Sequence, residues 1–234
     1  MMIEVAKGIA PQVDRLFIAL NEYDRVPDEL ALLPNVEAVI PEANLLDVGK
    51  FLFEPNPEDY VVTIDDDLLY PLDYVERFMK IAKKIDMQRS VLGYLGAYYE
   101  NWSDIRKRVT NIKFIRRPVG GLTGVEWIGT GTGFYLGSAF PKLSDMKGSE
   151  EFTDIRAGRY FFENGICPWL MPRERAYLTA MDHHYDRGRE IHARPKVLNF
   201  AAMEKDKSVY FGKADHAGKR YFNYIKARSK AENS

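Results

Sequence analysis

The chain has 234 residues, of which 46% are hydrophobic and 29% charged, and its formal net charge is −1. This length favours one sizeable domain, and the composition is typical of a soluble globular protein and excludes a disordered chain. The balanced charge gives no reason to expect a nucleic acid partner. The single cysteine, Cys167, excludes an internal disulfide framework and fits a reducing compartment. No apolar run approaches the roughly 20 residues of a membrane-spanning helix.

The order of predicted elements is that of an α/β protein. Short apolar runs bounded by turn formers predict buried strands, and apolar residues at helical spacing after Pro71 predict a helix. The predicted strands are 15–21, 36–41, 60–64, 91–96, 111–115, 125–129, 133–137 and 167–170. Further helices are predicted at 2–10, near residue 27 and at 154–165. Strands separated by helices or long connections favour an α/β/α sandwich with a mixed, mostly parallel central sheet.

Three adjacent aspartates, Asp65, Asp66 and Asp67, directly follow the predicted strand 60–64. They therefore lie at the carboxyl end of a strand, where open α/β sheets bind ligands. Carboxylates this close repel one another unless a cation or hydrogen-bond donors compensate. Because side chains alternate along an extended backbone, Asp65 and Asp67 can face one side while Asp66 faces away. The pattern favours Mg²⁺ or Mn²⁺ held on a diphosphate; the alternative is a solvated turn in which an aspartate caps the next helix.

Three ordered segments resemble GT-A glycosyltransferases, and most of all bacterial family-2-type enzymes that build capsular or surface polysaccharides. YVVTIDDDLLYPLDYVERF resembles their Asp-x-Asp region, and LLDVGKF resembles the stretch that lies on the donor nucleotide. WIGTGTGFYL followed by FTDIRAGRYFFENG resembles their Gly-rich acceptor-side turn and the helix after it. The resemblance spans about residues 13 to 165. It implies a GT-A-like, Rossmann-like fold and metal-dependent transfer of a sugar from a nucleotide-diphosphate sugar, most simply a UDP-sugar, to a glycan or lipid-linked acceptor.

The resemblance assigns the donor side of the site to residues that match the family's motifs. It implies that Asp65 contacts the ribose or the metal, that Asp66 lies beside the donor, and that Asp67 coordinates Mn²⁺ or Mg²⁺ on the diphosphate. It also implies that Asp47 and Lys50 contact the nucleotide. For Lys50 the alternative is an ordinary surface lysine, because a cation beside phosphates is chemically sensible but common.

The resemblance places Asp154 where inverting enzymes keep their catalytic base. A carboxylate within hydrogen-bond reach can take the proton from an acceptor hydroxyl as it attacks the anomeric carbon. The alternative is an aspartate favoured by the dipole at a helix N-terminus, and Glu150 and Glu151 are nearby substitutes for the base. Gly129, Gly131 and Gly133 are predicted to permit a tight turn and close approach of a ligand.

The predicted organisation is a single domain over 1–234, with a nucleotide-sugar half at about 1–110, an acceptor half at about 111–200 and a basic tail at 201–234. In the family a strand that helps hold the nucleotide base precedes the first helix. Since segment 2–10 is interpreted as that helix, this strand is expected to be missing.

The region after residue 172 matches no family motif, but it carries candidate ligands. A histidine from it could complete a metal site, and its arginines could clamp a diphosphate; a surface loop is the alternative. These residues are His183, His184, His192, Arg187, Arg189 and Arg194. The basic tail could touch an anionic membrane face, but its charge run favours the alternative of a solvated terminal helix. The expected location is the cytoplasm, with possible peripheral contact at the inner membrane face.

Two rival functions remain at this stage. A nucleotidyltransferase shares the α/β layout and carboxylate-bound metal, but it should carry a Gly-rich basic loop after its first strand, and the sequence shows none. A non-catalytic module that binds a nucleotide or glycan would keep the carboxylates without turnover.

Overall fold

The computed structural model describes residues 1–97, 117–181 and 200–211, and these form a mixed α/β structure. The α-helices are α1 (Met2–Ile9), α2 (Asp28–Ala31), α3 (Tyr74–Ala82), α4 (Leu143–Met146), α5 (Thr153–Glu163) and α6 (Phe200–Tyr210). The longer strands are β1 (Leu16–Ala19), β2 (Val36–Val39), β3 (Tyr60–Ile64), β5 (Ser90–Gly93), β9 (Thr132–Leu136) and β10 (Cys167–Leu170). The two-residue strands are β4 (Leu68–Leu69), β6 (Gly96–Ala97), β7 (Thr123–Gly124), β8 (Trp127–Ile128) and β11 (Thr179–Ala180).

The main sheet has five strands in the order β3-β9-β5-β10-β7. Strand β10 pairs with β5 in parallel, whereas β9 is antiparallel to both of its neighbours and β7 is antiparallel to β10. Strands β1 and β2 form a separate parallel pair. The prediction of a mixed sheet is therefore confirmed, but pairing within the main sheet is mostly antiparallel. The reason is that β9 runs in the opposite direction and separates β3 from β5.

Helices cover both faces of the main sheet. Adjacent residues of a strand face opposite sides, and Val91 and Leu92 of β5 belong to two different hydrophobic clusters, as do Tyr135 and Phe134 of β9. One cluster contains buried side chains of α1 and α3, and the other contains those of α4, α5 and α6. The predicted α/β/α layering is thus present in the described residues.

Most predicted elements form close to their predicted bounds. Segment 2–10 is helical as α1, and the run of β-branched residues at Tyr60–Ile64 is strand β3. The predicted strand 91–96 is instead two strands, β5 and β6, because Thr132 Oγ1 accepts hydrogen bonds from the amides of Tyr94 and Leu95 and bends the chain there. The predicted strand 111–115 lies outside the described residues.

Helix α5 ends at the pair Asn164-Gly165, where the sequence predicted that the helix would end. Gly165 adopts φ 68°, a left-handed conformation that glycine accepts readily. The side chain of Asn164 donates to the carbonyl of Tyr160 at 2.8 Å and satisfies one of the last carbonyls of the helix.

A buried carboxylate holds helix α6 against helix α5. Asp206 is 1% exposed, and its two oxygens accept from Arg156 Nε at 2.5 Å and from Arg159 Nη1 at 2.9 Å. In the described part of the chain, no helix combines the length and apolarity that crossing a membrane requires.

Candidate functional site

A cleft of about 690 Å³ opens at the carboxyl ends of β1 and β3. Its lining includes β1 and the following turn, the N-terminal half of α1, the 3₁₀ helix Leu46–Phe51 and the three aspartates after β3. Asp47, Lys50, Asp65, Asp66 and Asp67 all line it. The structure thus brings together the five residues that the resemblance implies for donor and metal binding, from two segments whose nearest members, Lys50 and Asp65, are 15 residues apart.

Lys50 and Asp65 form an ion pair in the cleft. Lys50 Nζ lies 2.5 Å from Asp65 Oδ1, and the lysine side chain is only 15% exposed. Burial lowers the pKa of Lys50, but the charge and hydrogen bond of Asp65, with the charges of Asp154 and Asp47, outweigh burial and raise it overall. Lys50 is therefore a fixed cation and not an ordinary surface lysine.

Tyr70 fixes the backbone that carries the aspartates. Its hydroxyl accepts from the amide of Asp65 at 2.8 Å and donates to the carbonyl of Gly131 at 2.7 Å. Burial is the main reason that the pKa of Tyr70 lies well above its usual value, so the hydroxyl stays protonated. Two chain segments 61 residues apart are thereby joined beside the carboxylates.

The three aspartates differ in exposure as the alternation of an extended chain predicts. Asp66 is exposed, whereas Asp65 and Asp67 are partly buried. Over residues 1–97, 117–181 and 200–211, no three His, Cys, Asp or Glu side chains are grouped so that they alone would hold a metal ion. The predicted site needs only two protein carboxylates, since Mg²⁺ and Mn²⁺ usually take their other oxygens from substrate phosphates and water.

Asp47 contacts the cleft but also holds the start of α5. Its Oδ1 accepts from the amide of Glu151 at 2.9 Å, and its Oδ2 accepts from Thr153 Oγ1 at 2.6 Å. Glu151 has φ 71°, an unusual conformation for a residue with a side chain, and its bond to Asp47 helps stabilise it. Asp47 therefore links the donor side of the cleft to the N-terminus of α5.

Asp154 lies in the first turn of α5, beside the Gly-rich turn. Its Oδ1 accepts from both the amide and the hydroxyl of Thr130, at 2.7 and 2.8 Å. Burial raises the pKa of Asp154, although the two bonds from Thr130 and the charge of Lys50 act in the opposite direction and Asp65 adds to the rise. Asp154 does not line the cleft itself, but it lies near enough to Lys50 and Asp65 for their charges to act on it.

The Gly-rich turn allows a contact that a side chain would prevent. The amide of Thr132 donates to the carbonyl of Gly129 at 2.9 Å, which makes the turn tight as predicted. A Cβ atom on Gly131 would lie 1.7 Å from Asp65 Oδ2, so the carboxylate packs directly against this glycine. The turn positions Asp65 and, through Thr130, also Asp154.

Sequence reasoning missed two residues that organise the site, Tyr70 and Thr130. Tyr70 is part of the LLYP segment that follows the aspartates. Its position shortly after them in the sequence is the signal that could have indicated its role in the site. Thr130 lies among glycines, and nothing local indicates that it bonds to a residue 24 positions later. The three candidate histidines, the three candidate arginines and the tail beyond residue 211 lie outside the described residues.

Replacing Gly131 by alanine should displace the Asp65 carboxylate. The added methyl must push the side chain away and break the Lys50–Asp65 pair, so we expect the free energy of unfolding to fall by about 1–2 kcal/mol. Gly121→Ala is the matched control, because its Cβ would meet no atom within 4 Å. Urea denaturation of both variants at pH 7 measures the difference, and equal stabilities would show that Asp65 is not held as described.

Comparison of the chain with models of known protein families and with curated proteins gives no match. The site itself is a cleft in which a fixed lysine and four aspartates lie at the carboxyl ends of β1 and β3.

Proposed function

We propose that the chain is a metal-dependent glycosyltransferase of GT-A type. It would transfer a sugar from a nucleotide-diphosphate sugar, most simply a UDP-sugar, to a glycan or lipid-linked acceptor with inversion at the anomeric carbon. The observation that carries the proposal is the meeting of Lys50, Asp65 and Asp67 in one cleft at the carboxyl ends of β1 and β3, with Asp154 close by.

The position of the cleft supports a nucleotide ligand. Ligands of open α/β sheets bind outside the carboxyl ends of the strands, and the cleft opens there between β1 and β3. Its size of about 690 Å³ falls within the range of small-molecule and cofactor pockets. Aromatic and apolar residues of β1 and the following turn, including Phe17 and Tyr23, also line the cleft. A base and ribose would pack against these residues.

The charges of the cleft suit a diphosphate only when a cation is present. Four carboxylates against one lysine would repel a bare diphosphate. Asp65 and Asp67 offer the hard oxygen ligands that Mg²⁺ and Mn²⁺ prefer, so the residues present fit such an ion. When bound, the cation would neutralise charge on the departing diphosphate. Lys50 already pairs with Asp65, and its ammonium would remain beside the phosphates as a second positive charge.

Asp154 has the properties of a general base. Its raised pKa brings the carboxylate closer to the pH at which it must accept a proton, which improves proton transfer. The two bonds from Thr130 fix Oδ1, so the orientation of the carboxylate is set before an acceptor arrives. The acceptor hydroxyl would lose its proton to Asp154 as its oxygen bonds to the anomeric carbon, and the bond to the nucleoside diphosphate would break.

A screen of donor hydrolysis tests the proposal, because many transferases slowly pass their donor sugar to water. UDP-, GDP-, CDP- and dTDP-sugars are incubated with the full chain and Mn²⁺, and release of nucleoside diphosphate is measured. We expect release from one donor class, most simply UDP, and its loss on adding EDTA. Release of pyrophosphate from a nucleoside triphosphate and a sugar phosphate would instead identify a nucleotidyltransferase, and no release from any donor would contradict the proposal.

A further inference from the structure

The first turn of α5, which carries Asp154, receives no cap from the residue that precedes the helix. That residue is Phe152, and its phenyl ring cannot accept a hydrogen bond. Helices usually begin after a residue whose polar side chain bonds to the first turn, and helix ends without such support open readily. Asp154 is the second residue of α5. Its position therefore depends on what holds the first turn from outside.

Asp47 supplies that support from more than 100 residues away. It bonds on both sides of Phe152, because Oδ1 accepts from the amide of Glu151 at 2.9 Å and Oδ2 accepts from Thr153 Oγ1 at 2.6 Å. A negative charge near a helix N-terminus is also favourable. Thr153 is only 3% exposed, so water cannot easily replace the carboxylate as the partner of its hydroxyl. Asp47 thus holds the start of α5.

The support reaches Asp154 through a second threonine. Thr130 Oγ1 lies 3.4 Å from Thr153 Oγ1 and donates to Asp154 Oδ1 at 2.8 Å. Thr130 is 1% exposed. Two buried hydroxyls in contact therefore connect the carboxylate of Asp47 to that of Asp154. Both bonds from Thr130 go to Oδ1 of Asp154, so Oδ2 is the oxygen left for a proton from the acceptor.

The segment that carries Asp47 also carries Lys50. Both belong to the 3₁₀ helix Leu46–Phe51, and residues three apart in such a helix lie on the same face. Lys50 uses this face to pair with Asp65 at the end of β3, and Asp47 uses it to hold the start of α5. One short helix therefore contacts both segments that carry the carboxylates of the proposed reaction.

The core holds this 3₁₀ helix in place. Val48 and Phe51 are 1% and 0% exposed, and the ring of Phe51 stacks on that of Phe140 with centroids 5.3 Å apart. A Cβ atom on Gly49 would lie 3.3 Å from the Cβ of Ala19, so the helix packs closely against β1. Close-packed interiors deform little. The positions of the two side chains that project from the helix are therefore set by the fold before any ligand binds.

We infer that Asp47 and Thr153 are positioning residues for Asp154. The helix Leu46–Phe51 sets the spacing between Asp154 and Asp65. This inference rests on the proposed function, in which Asp154 takes a proton from the acceptor while Asp65 lies on the donor side. Asp47 and Thr153 act on turnover through the orientation of Asp154 and not through contact with the nucleotide. Because small misplacements of a reacting group lower turnover strongly, their loss lowers kcat and leaves donor binding nearly unchanged.

Three variants and one control test the inference in the full chain. Thr153→Val keeps the shape of the side chain and removes its hydroxyl, whereas Thr153→Ser keeps the hydroxyl. Asp47→Ala removes both bonds to the start of α5. Thr123→Val is the matched control, because the hydroxyl of Thr123 donates to the carbonyl of Gly121 at 2.9 Å and the residue does not line the cleft.

Amide exchange at Thr130 reports the position of Asp154 without any turnover. This amide donates to Asp154 Oδ1 at 2.7 Å. Its exchange, measured by NMR, should be about tenfold faster or more in Thr153→Val and Asp47→Ala than in the parent chain. Thr153→Ser and the control should match the parent. The amide of Arg77, bonded within α3 at 2.9 Å, reports the stability of the chain as a whole and should change far less.

Kinetics with the donor found in the screen separates positioning from nucleotide binding. In Thr153→Val and Asp47→Ala, kcat should fall by about 10- to 100-fold, while KM and the Kd for UDP with Mn²⁺ stay within about twofold of the parent. Thr153→Ser should restore kcat to within about threefold of the parent, because it restores the hydroxyl.

Three outcomes overturn the inference. The first is equal exchange of the Thr130 amide in the parent, Thr153→Val and Asp47→Ala, whether or not the chain is active. The second is an Asp47→Ala variant that keeps its kcat and binds UDP about tenfold or more weakly, because Asp47 would then be a nucleotide ligand. The third is equal loss of kcat in Thr153→Val and Thr153→Ser. A parent chain without turnover contradicts the proposed function instead, and exchange at Thr130 still decides whether Asp47 and Thr153 hold Asp154.

Discussion

Asp154→Asn should lower the rate of sugar transfer or donor hydrolysis by about 100- to 10,000-fold while the chain stays folded. The amide oxygen of asparagine can accept the same two bonds from Thr130 that Asp154 Oδ1 accepts, so the helix N-terminus keeps its contacts. What is lost is a group that can take a proton. Steady-state kinetics with the donor found in the screen measures the loss.

Asp145→Asn is the matched control for that experiment. Asp145 also lies at a helix N-terminus, in α4, where its Oδ2 accepts from the amide of Lys142 at 2.9 Å. The same chemical change is made there at a residue that does not line the cleft, and activity should remain within about twofold of the parent chain. If both variants lose activity equally, Asp154 is not the base.

The pH dependence of the free energy of unfolding distinguishes a catalytic role of Asp154 from a purely structural role. The pKa of Asp154 is raised in the folded chain, mainly by burial. Folding therefore disfavours the charged form of Asp154. This cost in the free energy of folding is absent below the pKa that Asp154 has in the unfolded chain, and it is complete above its pKa in the folded chain. Asp154→Asn should be more stable than the parent at pH 7, and the difference should shrink towards pH 4. A variant that is less stable at pH 7 would indicate that the carboxylate mainly stabilises the helix.

Asp206→Ala should destabilise the chain by about 3 kcal/mol, the largest stability effect that we expect. The carboxylate is almost fully buried between Arg156 and Arg159, and removing one partner of such a cluster leaves buried charge without compensation. Arg156 retains bonds to the carbonyls of Asp145 and Lys147, and this should limit the loss. Chemical denaturation monitored by circular dichroism measures it.

Glu163→Ala provides the comparison. Glu163 pairs with the same Arg159 at 2.9 Å but is 46% exposed, and exposed ion pairs contribute about 0.2–1 kcal/mol. If Asp206→Ala and Glu163→Ala lower the free energy of unfolding equally, the buried Asp206 carboxylate is not what holds α6 against α5.

The elements were predictable where local chemistry determines them. The β-branched run at Tyr60–Ile64 and the Asn-Gly end of α5 needed no knowledge of distant residues. Strand pairing was not predictable in this way, because β9 lies between β3 and β5 through contacts 40 or more residues apart. The prediction of mostly parallel pairing included a strand at 133–137, which is β9, but did not place it between β3 and β5.

The candidate site was predictable in its composition but not in its internal bonds. The sequence placed Asp65 at the carboxyl end of a strand, and the structure places it there beside Lys50. The family resemblance assigned Asp47 to the nucleotide, whereas both of its oxygens bond to the segment that begins α5. Such bonds connect residues more than 100 positions apart, and no periodicity or motif carries that information.

Calorimetric titration of the full chain with UDP tests most directly whether the aspartates join a cation to a nucleotide diphosphate. We expect binding with Mn²⁺ present, at least about tenfold weaker binding with EDTA, and a similar loss in Asp67→Ala. Glu42→Ala, which removes an exposed carboxylate outside the cleft, should bind as the parent does. UDP binding that is absent, or equally strong with EDTA and in Asp67→Ala, would contradict the account.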